Sequence, residues 1–497
     1  MPEYLRALLI ILLLSITFFV FSGRPATTII GHDHFARRRN IWLSLTLAAF
    51  LAQSFWVYTA IAIPLLLYAN RHEINPPALF FFLLFALPIA TIGISGMGLI
   101  NYLFALSHAR ILALFILLPA FFTLIRQSDT LSFGRTGADK VLAAYLLLTA
   151  VLYLRETSVT DTLRQAFYLF IDVVLPYFVI SRSLKNLYAF KDASLSLVMA
   201  IMLLALIAVF ESFKHWLLYQ PLLDVLELSG IRGYLGRSSM LRAVASAGSP
   251  IALGYLMAVG IGLYLFLQRS IQHKLVRRLG MGLLIGGLIA PLSRGPWVGA
   301  AVLLFVFVAT GRNSVRRLLG IALAGMLALP LIAMLPGGER VINLLPFIGT
   351  TEKGNIDYRE NLLTNSMIVI QRSPWFGSIN YLETPEMEAM RQGQGIIDVV
   401  NTYIGIALET GFVGLGLFVG FFALVVIGVY RAMRSLPDKD SEEHLLGRAL
   451  LATLIAILVI IFTVSSITVI PIVYWSVAGL GVAYAQMVRK SNSLYER

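Results

Sequence analysis

Residues 281–310 read MGLLIGGLIAPLSRGPWVGAAVLLFVFVAT, two apolar runs that meet at a short polar turn. In a bilayer such runs form helices, because a helix satisfies its own backbone hydrogen bonds. The turn holds Arg294, and an arginine at the end of a membrane hairpin is costly unless it binds something. The stretch therefore predicts a helical membrane hairpin with a functional arginine at its tip.

The whole chain has the composition of an integral membrane protein. Of its 497 residues, 58% are hydrophobic and only 13% are charged, and the mean hydropathy is +0.82. A soluble globular protein carries about 25% charged residues. We attribute the net charge of +13 to cytoplasmic loops rich in Lys and Arg and not to a nucleic-acid partner. We expect an all-α polytopic membrane protein with about 12 transmembrane helices.

The residue types present exclude several chemistries. The chain has no cysteine, which rules out disulfides, thiolate nucleophiles and Cys-ligated metals. Its seven histidines show no metal-ligand spacing, so we expect neither a metal nor another cofactor. The apolar segment 6–22 has no small-x-small cleavage site nearby and is interpreted as a retained first helix.

Basic stretches predict the topology. Residues 269–278 and 312–317 hold clustered Lys and Arg and should be cytoplasmic. The turn at 293–296 then lies on the outer face, as does the polar stretch 336–400. Four regions follow from this pattern: an N-terminal transmembrane bundle (1–230), core membrane hairpins with the Ser-Arg-Gly motif (231–335), a large outer loop with short helices (336–400), and C-terminal transmembrane helices with a cytoplasmic tail (401–497).

The first 110 residues leave alternatives open. Segments 41–69 and 78–108 are each compatible with one long helix or a pair of helices. The Gly-rich stretch 93–98 is a candidate outer loop.

The outer loop carries two helix signals. Asp357 is a candidate N-cap, followed by an apolar stripe that Pro374 should stop. Thr384 is a second N-cap candidate because Pro385 fits a first helical position, and Gly393 and Gly395 should end that helix. The stripe of the first helix comprises Leu362, Leu363, Met367 and Ile370.

Arginine is the residue type that gathers on the predicted outer side. Its planar guanidinium group binds two phosphate oxygens at once, so the set favours an anionic, lipid-borne substrate such as a pyrophosphate. The alternative for any one of them is contact with lipid headgroups or with a loop carboxylate. Besides Arg294, the set comprises Arg232, Arg237, Arg242, Arg340, Arg359 and Arg372.

A second group of polar residues stands where the chain re-enters the membrane. Asp398 and Asn401 lie at the boundary, and Glu409 should lie about two turns into the following helix. We take Asp398, Asn401 and Glu409 as the candidate catalytic residues. A buried carboxylate there has either a function or a structural arginine partner. Gly411 and Gly414 are interpreted as helix-packing positions.

Two further acidic residues fall inside predicted membrane helices. These are Asp172 and Glu211. Each is able to bond a neighbouring helix or to line a cavity, and we favour a structural role over a catalytic one.

The chain resembles the O-antigen ligase / O-antigen polymerase superfamily of bacterial membrane glycosyltransferases over roughly residues 230–430. The resemblance rests on three short motifs separated by a large outer loop. These are Ser293-Arg294-Gly295, Arg359 with Pro374-Trp375-Phe376-Gly377, and Asn401 with Leu408-Glu409-Thr410-Gly411-Phe412-Val413-Gly414.

The resemblance implies a metal-independent reaction at the periplasmic face of the bacterial inner membrane, on a glycan carried by undecaprenyl pyrophosphate. Arg294 matches the motif arginine and Arg359 the loop arginine, while either Arg237 or Arg242 matches the arginine before the central helix. These four residues would bind the pyrophosphate. The implied partners are the lipid-linked oligosaccharide, membrane lipids and a chain-length regulator protein.

One departure from the family bears on the reaction. Ligases commonly carry a histidine immediately before the asparagine matched by Asn401, and this chain has Val400, which cannot transfer a proton. The departure favours a polymerase of lipid-linked repeat units over a ligase to lipid A-core or another acceptor. Asp398 is the nearest alternative base, and Tyr403 or Glu409 would position the acceptor.

A transporter is the alternative from a different class. A flippase for lipid-linked oligosaccharides should have polar residues along a path across the bilayer. Here the ionisable residues concentrate on one side, which argues against transport.

Overall fold

The computed structural model describes residues 1–96, 102–228, 234–237, 240–334, 353–392 and 395–495. Apart from two short β-hairpins, the elements in these residues are helices, which confirms the all-α class. Nine helices of the described residues are long and apolar enough to cross a membrane, so the chain is a multi-pass membrane protein. They are Glu3–Ile30, His108–Arg126, Gly137–Glu156, Val159–Ser183, Leu187–Lys214, Pro250–Ser270, Thr402–Ser435, Glu442–Ile461 and Ile470–Ser491.

Further helices complete the described architecture, and the count of about 12 spans stays a prediction. The membrane hairpin at the Ser-Arg-Gly motif forms as expected, from Lys274–Ile289 and Arg294–Ala309. The remaining helices are His32–Leu51, Phe55–Arg71, Pro76–Leu83, Gln220–Val225, Ser314–Met334, Lys353–Arg372 and Pro385–Glu388.

The alternatives left open near the N-terminus are resolved by local breaks. Segment 41–69 belongs to two helices, because Gln53 has a positive φ of 53° and the Ser54 side chain caps the second helix. The expectation of one or two helices over 78–108 is wrong. Its helix ends at Leu83, and an antiparallel β-hairpin of Thr91–Ser95 and Tyr102–Ser107 follows. Pro88 and the Gly and Ser residues around 93–96 disfavour a helix there.

The centre of the molecule is the helix Pro250–Leu267. It is apolar on every side, as a helix in the core of a bundle should be, and nearly all its residues are buried. It packs against the helices Leu187–Lys214 and Glu442–Ile461. The short strands Gly236–Arg237 and Met240–Leu241 precede it and form a small hairpin, called here the arginine hairpin.

One helix connects the two ends of the bundle. Gly137–Glu156 begins with a capping box between Thr136 and Asp139. The Asp139 carboxylate also forms a buried ion pair of 2.6 Å with Arg182. The helix is 20 residues long, or about 30 Å at 1.5 Å per residue. Its last residue, Glu156, bonds to Ser378 and Ile379, so this loop segment and the Asp139–Arg182 pair lie at opposite ends of the helix.

In the loop, the prolines predicted the ends of the helices better than the candidate capping residues did. The helix Lys353–Arg372, called here the loop helix, ends before Pro374 as predicted. The N-cap prediction for Asp357 is wrong, since the helix begins four residues earlier and no proline in 353–356 blocks its extension. Of the predicted stripe, Leu362 and Ile370 are buried, whereas Leu363 and Met367 are exposed.

The second loop helix starts where expected and ends early. Thr384 is the N-cap residue and Pro385 the first helical residue, but the helix stops at Glu388. The prediction that the glycines end it is therefore wrong. Gly393 lies outside the described residues, and Gly395, with φ 78°, serves instead in a turn closed by the Gln392 N–H on the carbonyl of Ile396.

Candidate functional site

The arginine hairpin is bound to the turn that carries the Ser-Arg-Gly motif. The Arg237 guanidinium donates to the backbone carbonyl of Leu292. The Arg242 guanidinium donates to the carbonyl of Pro291 at 3.1 Å and to Ser293 Oγ at 3.0 Å. Arg237 and Arg242, the two candidates for the arginine before the central helix, therefore both bind residues 291–293, which immediately precede Arg294.

Arg294 is the first residue of its helix. The first N–H groups of a helix have no partner within the helix and carry a partial positive charge. A half-buried guanidinium and a helix N-terminus therefore occur at the same point. Trp297 Nε1 donates to the carbonyl of Leu288 at 2.8 Å and closes the membrane hairpin.

The loop helix brings a further arginine to this region. Arg359 Nη2 donates to the carbonyl of Thr463 at 3.3 Å. Partial burial lowers the pKa of Arg359, the carboxylate of Asp398 partly offsets this shift, and the positive charge of Arg237 lowers the pKa further. Two guanidinium groups that repel each other and one carboxylate therefore share a single site.

A turn at residues 463–465, which the sequence analysis missed, holds these parts together. Ser465 Oγ donates to a carboxylate oxygen of Asp398. Thr402 donates to the middle carbonyl of the turn from its backbone N–H at 3.0 Å and from its hydroxyl at 2.8 Å. A side chain at Gly295 would overlap the turn. The polar run TVSSIT, which interrupts the apolar C-terminal stretch, was the available signal.

Asn401 acts in the structure as a helix cap. Its side-chain oxygen accepts hydrogen bonds from the backbone N–H groups of Tyr403 at 2.9 Å and Ile404 at 3.3 Å. The hydroxyl of Tyr403, a candidate for positioning the acceptor, donates to the carbonyl of Leu458 at 2.9 Å. Asn401 and Tyr403 thus both have structural partners. Val400 packs against the apolar cluster beneath the loop helix.

Glu409 lies about two turns into its helix. Tyr153 donates to its carboxylate at 3.2 Å. In the described residues Glu409 has tyrosines around it and no ion pair, so the structural arginine partner, one of the two alternatives for this residue, is not seen. Burial raises the pKa of Tyr381 to about 12, with a contribution from the negative charge of Glu409. Tyr145 and Tyr474 are also within electrostatic reach.

The helix Thr402–Ser435 is broken at Gly411, and we call it the kinked helix. Gly411 has φ 67° and ψ −171°, a conformation that is essentially restricted to glycine. The 374–377 turn of the loop docks into the break. The N–H of Phe412 donates to the carbonyl of Pro374 at 2.8 Å, and the N–H of Val413 donates to that of Trp375 at 3.2 Å.

The approach is closer than any side chain permits. A Cβ atom on Gly411 would overlap the carbonyl group of Trp375, and one on Gly377 would lie 2.7 Å from the backbone nitrogen of Gly411. The prediction that Gly411 lets two helices pack closely is therefore wrong. Gly411 instead lets the 374–377 turn approach the kinked helix. Two motifs of the resemblance, far apart in sequence, form one unit.

The end of the helix Gly137–Glu156 fixes the docked turn from the other side. The Glu156 carboxylate accepts hydrogen bonds from Ser378 Oγ at 2.8 Å and from the N–H of Ile379 at 2.6 Å. Arg155 donates to the carbonyl of Gly377 at 3.2 Å. The N-terminal bundle and the loop are therefore connected by direct bonds next to Tyr153 and Glu409.

The two acidic residues inside the membrane helices have local partners. The Glu211 carboxylate is fully buried and accepts from the N–H groups of Leu218, Val244 and Ala245 at 2.9–3.0 Å. Asp172 pairs with Arg110 at 2.7 Å. Glu211 thus holds the backbone that follows the arginine hairpin, in line with the structural role expected for it.

Of the other predicted arginines, only Arg372 falls in the described residues, and it does not join the site. Arg372 forms an ion pair with Glu386 at the surface. Arg232 and Arg340 lie outside the described residues. Among the described residues, no group of three or more His, Asp or Glu side chains is arranged to hold a metal ion.

Residues 279–419 match the family model described as O-antigen ligase. The matched stretch runs from the membrane hairpin through the loop helix to the kinked helix, and it contains Arg294, Arg359, Asp398 and the Gly411 break. No curated protein matches the chain.

Proposed function

We propose that this chain, whose residues 279–419 match the O-antigen ligase family model, polymerises undecaprenyl-pyrophosphate-linked repeat units of a surface polysaccharide. The reaction would take place at the periplasmic face of the bacterial inner membrane. The observation that carries the proposal is the approach of Arg237 and Arg359 beside the turn that leads into Arg294. Guanidinium groups gathered at one point favour an anion with several oxygens, such as a pyrophosphate.

The proposed step is a displacement at the anomeric carbon of the donor glycan. A hydroxyl oxygen of the acceptor repeat unit forms the new bond to this carbon while the bond from the carbon to the pyrophosphate oxygen breaks. The electron pair of the broken bond goes to the lipid pyrophosphate, and the hydroxyl proton goes to a base. Negative charge therefore grows on the pyrophosphate, where the arginines would stabilise it.

Each residue has a proposed role in this step. Arg294, with the N-terminus of its helix, and Arg359 bind the pyrophosphate. Arg237 and Arg242 fix the turn that presents Arg294 and add positive charge. Asp398 takes the proton, because its carboxylate interacts electrostatically with Arg359. Ser465 holds this carboxylate in place.

Glu409 is proposed to position the acceptor through its contact with Tyr153. Asn401 is proposed to shape the site through its helix cap, a positioning role in place of the catalytic one first expected. The reaction would need no metal, since the arginines supply the positive charge.

A ligase is the second candidate. The matching family model is described as O-antigen ligase, which favours transfer of a finished glycan to lipid A-core or another acceptor. Val400 stands where ligases commonly have a histidine, and its side chain cannot exchange a proton. A ligase reaction in this chain would therefore require another residue as the base.

Deleting the gene and sizing the glycans by gel electrophoresis and mass spectrometry separates these functions. A polymerase deletion leaves single repeat units on the carrier or acceptor and no long chains. A ligase deletion leaves long chains on undecaprenyl pyrophosphate. Unchanged surface and lipid-linked glycans would overturn both assignments.

A further inference from the structure

A cavity of about 380 Å³ lies beneath the outer segments, between the membrane helices and the start of the C-terminal helix. Pockets for small molecules typically measure about 300–1,000 Å³ and combine apolar walls with a few polar groups. This cavity has that make-up. Its polar lining residues include Ser107, Arg110, Asp172, Tyr219, Gln220 and Thr468.

The wall of the cavity continues the backbone of the candidate site. Val244 and Ala245 line it, and they follow Arg242 by two and three residues. Their N–H groups are two of the three that donate to the Glu211 carboxylate. A molecule in the cavity would therefore lie next to the arginine hairpin, separated from it by one short segment of backbone.

One member of the Arg110–Asp172 pair lies in an irregular helical turn, and the other lies close to a second such turn. Asp172 is the middle residue of a π-helical turn, Phe170–Val174. Arg110 lies just before a second one, Ala113–Leu117. In the described part of the chain, π-helical turns occur only at these two places, and such turns are frequent at functional sites.

Two hydroxyl groups at the cavity are left without partners. The Tyr219 hydroxyl and Thr468 Oγ1 are buried, and neither has a hydrogen-bond partner within the described residues. Tyr219 is only 2% exposed. An unsatisfied buried hydroxyl destabilises the fold, and Thr468 adds backbone strain, because its φ of 53° is unfavourable for a β-branched residue. The Arg110–Asp172 pair accounts neither for the unpartnered hydroxyls nor for the strained backbone of Thr468. A polar ligand accounts for the hydroxyls, and backbone strain is common where a protein holds a ligand.

We propose that this cavity binds a sugar ring of the glycan substrate, an inference that rests on the proposed function. A carboxylate accepts from sugar hydroxyls, a guanidinium donates to them, and the two orphan hydroxyls do either. The apolar remainder of the wall, with the ring of Tyr219, suits the C–H faces of a sugar. The cavity would thereby fix the glycan while the arginines hold its pyrophosphate.

Removing an orphan hydroxyl distinguishes this role from a structural one. Tyr219→Phe and Thr468→Val delete groups that have no partner in the described structure, so the fold should keep or gain stability. Thr468→Ser keeps the hydroxyl. Tyr255→Phe is the matched control, because the Tyr255 hydroxyl is also buried without a described partner, but Tyr255 does not line the cavity.

The probe is the free oligosaccharide released by mild acid from the host's lipid-linked repeat unit, titrated by calorimetry into the full-length protein in nanodiscs. Tyr219→Phe and Thr468→Val should each weaken binding by about 2- to 10-fold, the effect of one neutral hydrogen bond. Thr468→Ser and Tyr255→Phe should bind like the wild type. Equal affinity of all variants, or no binding of the oligosaccharide to the wild type, would overturn the inference.

Undecaprenyl pyrophosphate without a glycan serves as a second probe. It should bind the wild type and Tyr219→Phe equally, because the hydroxyl does not contact the pyrophosphate in this proposal. Carrier binding without oligosaccharide binding would overturn the sugar cavity alone. Failure of the carrier to bind would count against the proposed function, while the oligosaccharide titration would still decide the cavity.

Discussion

Replacing Gly411 with alanine should release the 374–377 turn from the kinked helix. The new Cβ would overlap the carbonyl group of Trp375, and alanine strongly disfavours φ 67° with ψ −171°. Such backbone strain costs about 1–3 kcal/mol. The two backbone hydrogen bonds from Phe412 and Val413 are worth about 0.5–1.5 kcal/mol each. These bonds are lost on undocking in both variants, so the docking equilibrium of Gly411→Ala should shift by the strain alone, about 1–3 kcal/mol, or on the order of 5-fold to 150-fold.

Hydrogen exchange of the purified protein in nanodiscs measures this shift directly. The amides of Phe412 and Val413 should lose protection in Gly411→Ala, and so should that of Ser378, which donates to the carbonyl of Leu408 at 2.9 Å. Gly416→Ala is the matched control on the same helix, because a Cβ there meets nothing within 4 Å. It should leave protection unchanged or raise stability by up to about 1 kcal/mol.

The reasoning would be refuted by wild-type protection of these amides in Gly411→Ala. The same protection loss in Gly416→Ala would also refute it, because the effect would then belong to any alanine in this helix and not to the docking contact.

Three further predictions concern charge and topology. Arg294→Ala should abolish polymer formation with normal membrane insertion, and Arg294→Lys should remain poor because an ammonium group cannot bind two oxygens in a fork; normal chain lengths on a glycan gel would contradict this role. Glu156→Gln should weaken the hydrogen bonds from Ser378 and Ile379 by about 1–3 kcal/mol in total, and the Ile379 amide should then exchange faster. Unchanged exchange would contradict the role of Glu156 in holding the loop. The chain has no native cysteine, so single cysteines report the topology. A cysteine at Asn380 should react with a membrane-impermeant reagent added from the periplasmic side, whereas one at Ser132 should not. The reverse pattern would invert the proposed topology.

The sequence was informative where a signal is local. The two apolar runs around Arg294 fixed the membrane hairpin, because hydropathy reports burial in a bilayer directly. Pro374 and Pro385 marked one helix end and one helix start, because proline acts on its own backbone.

Contacts between distant segments left no comparable signal. The partners of Gly411, Glu156 and Tyr153 lie far away in the chain, and nothing near each residue specifies them. The role of Ser465 was missed for the same reason, since a polar residue beside an apolar helix is compatible with many partners. The β-hairpin at 91–107 was missed because its apolar residues also suit a membrane helix.

The helix Gly137–Glu156 is tied at both ends, to Arg182 by Asp139 and to the loop by Glu156. Its length of about 30 Å equals the hydrocarbon thickness of a typical bilayer. A span fixed in this way cannot tilt freely to match a thinner or thicker membrane. Hydrophobic mismatch should therefore act as tension on the Glu156 contacts, so that polymer yield in nanodiscs should depend on acyl chain length, and Glu156→Gln should remove much of that dependence. The lipids around the protein would then help to set the geometry of its loop.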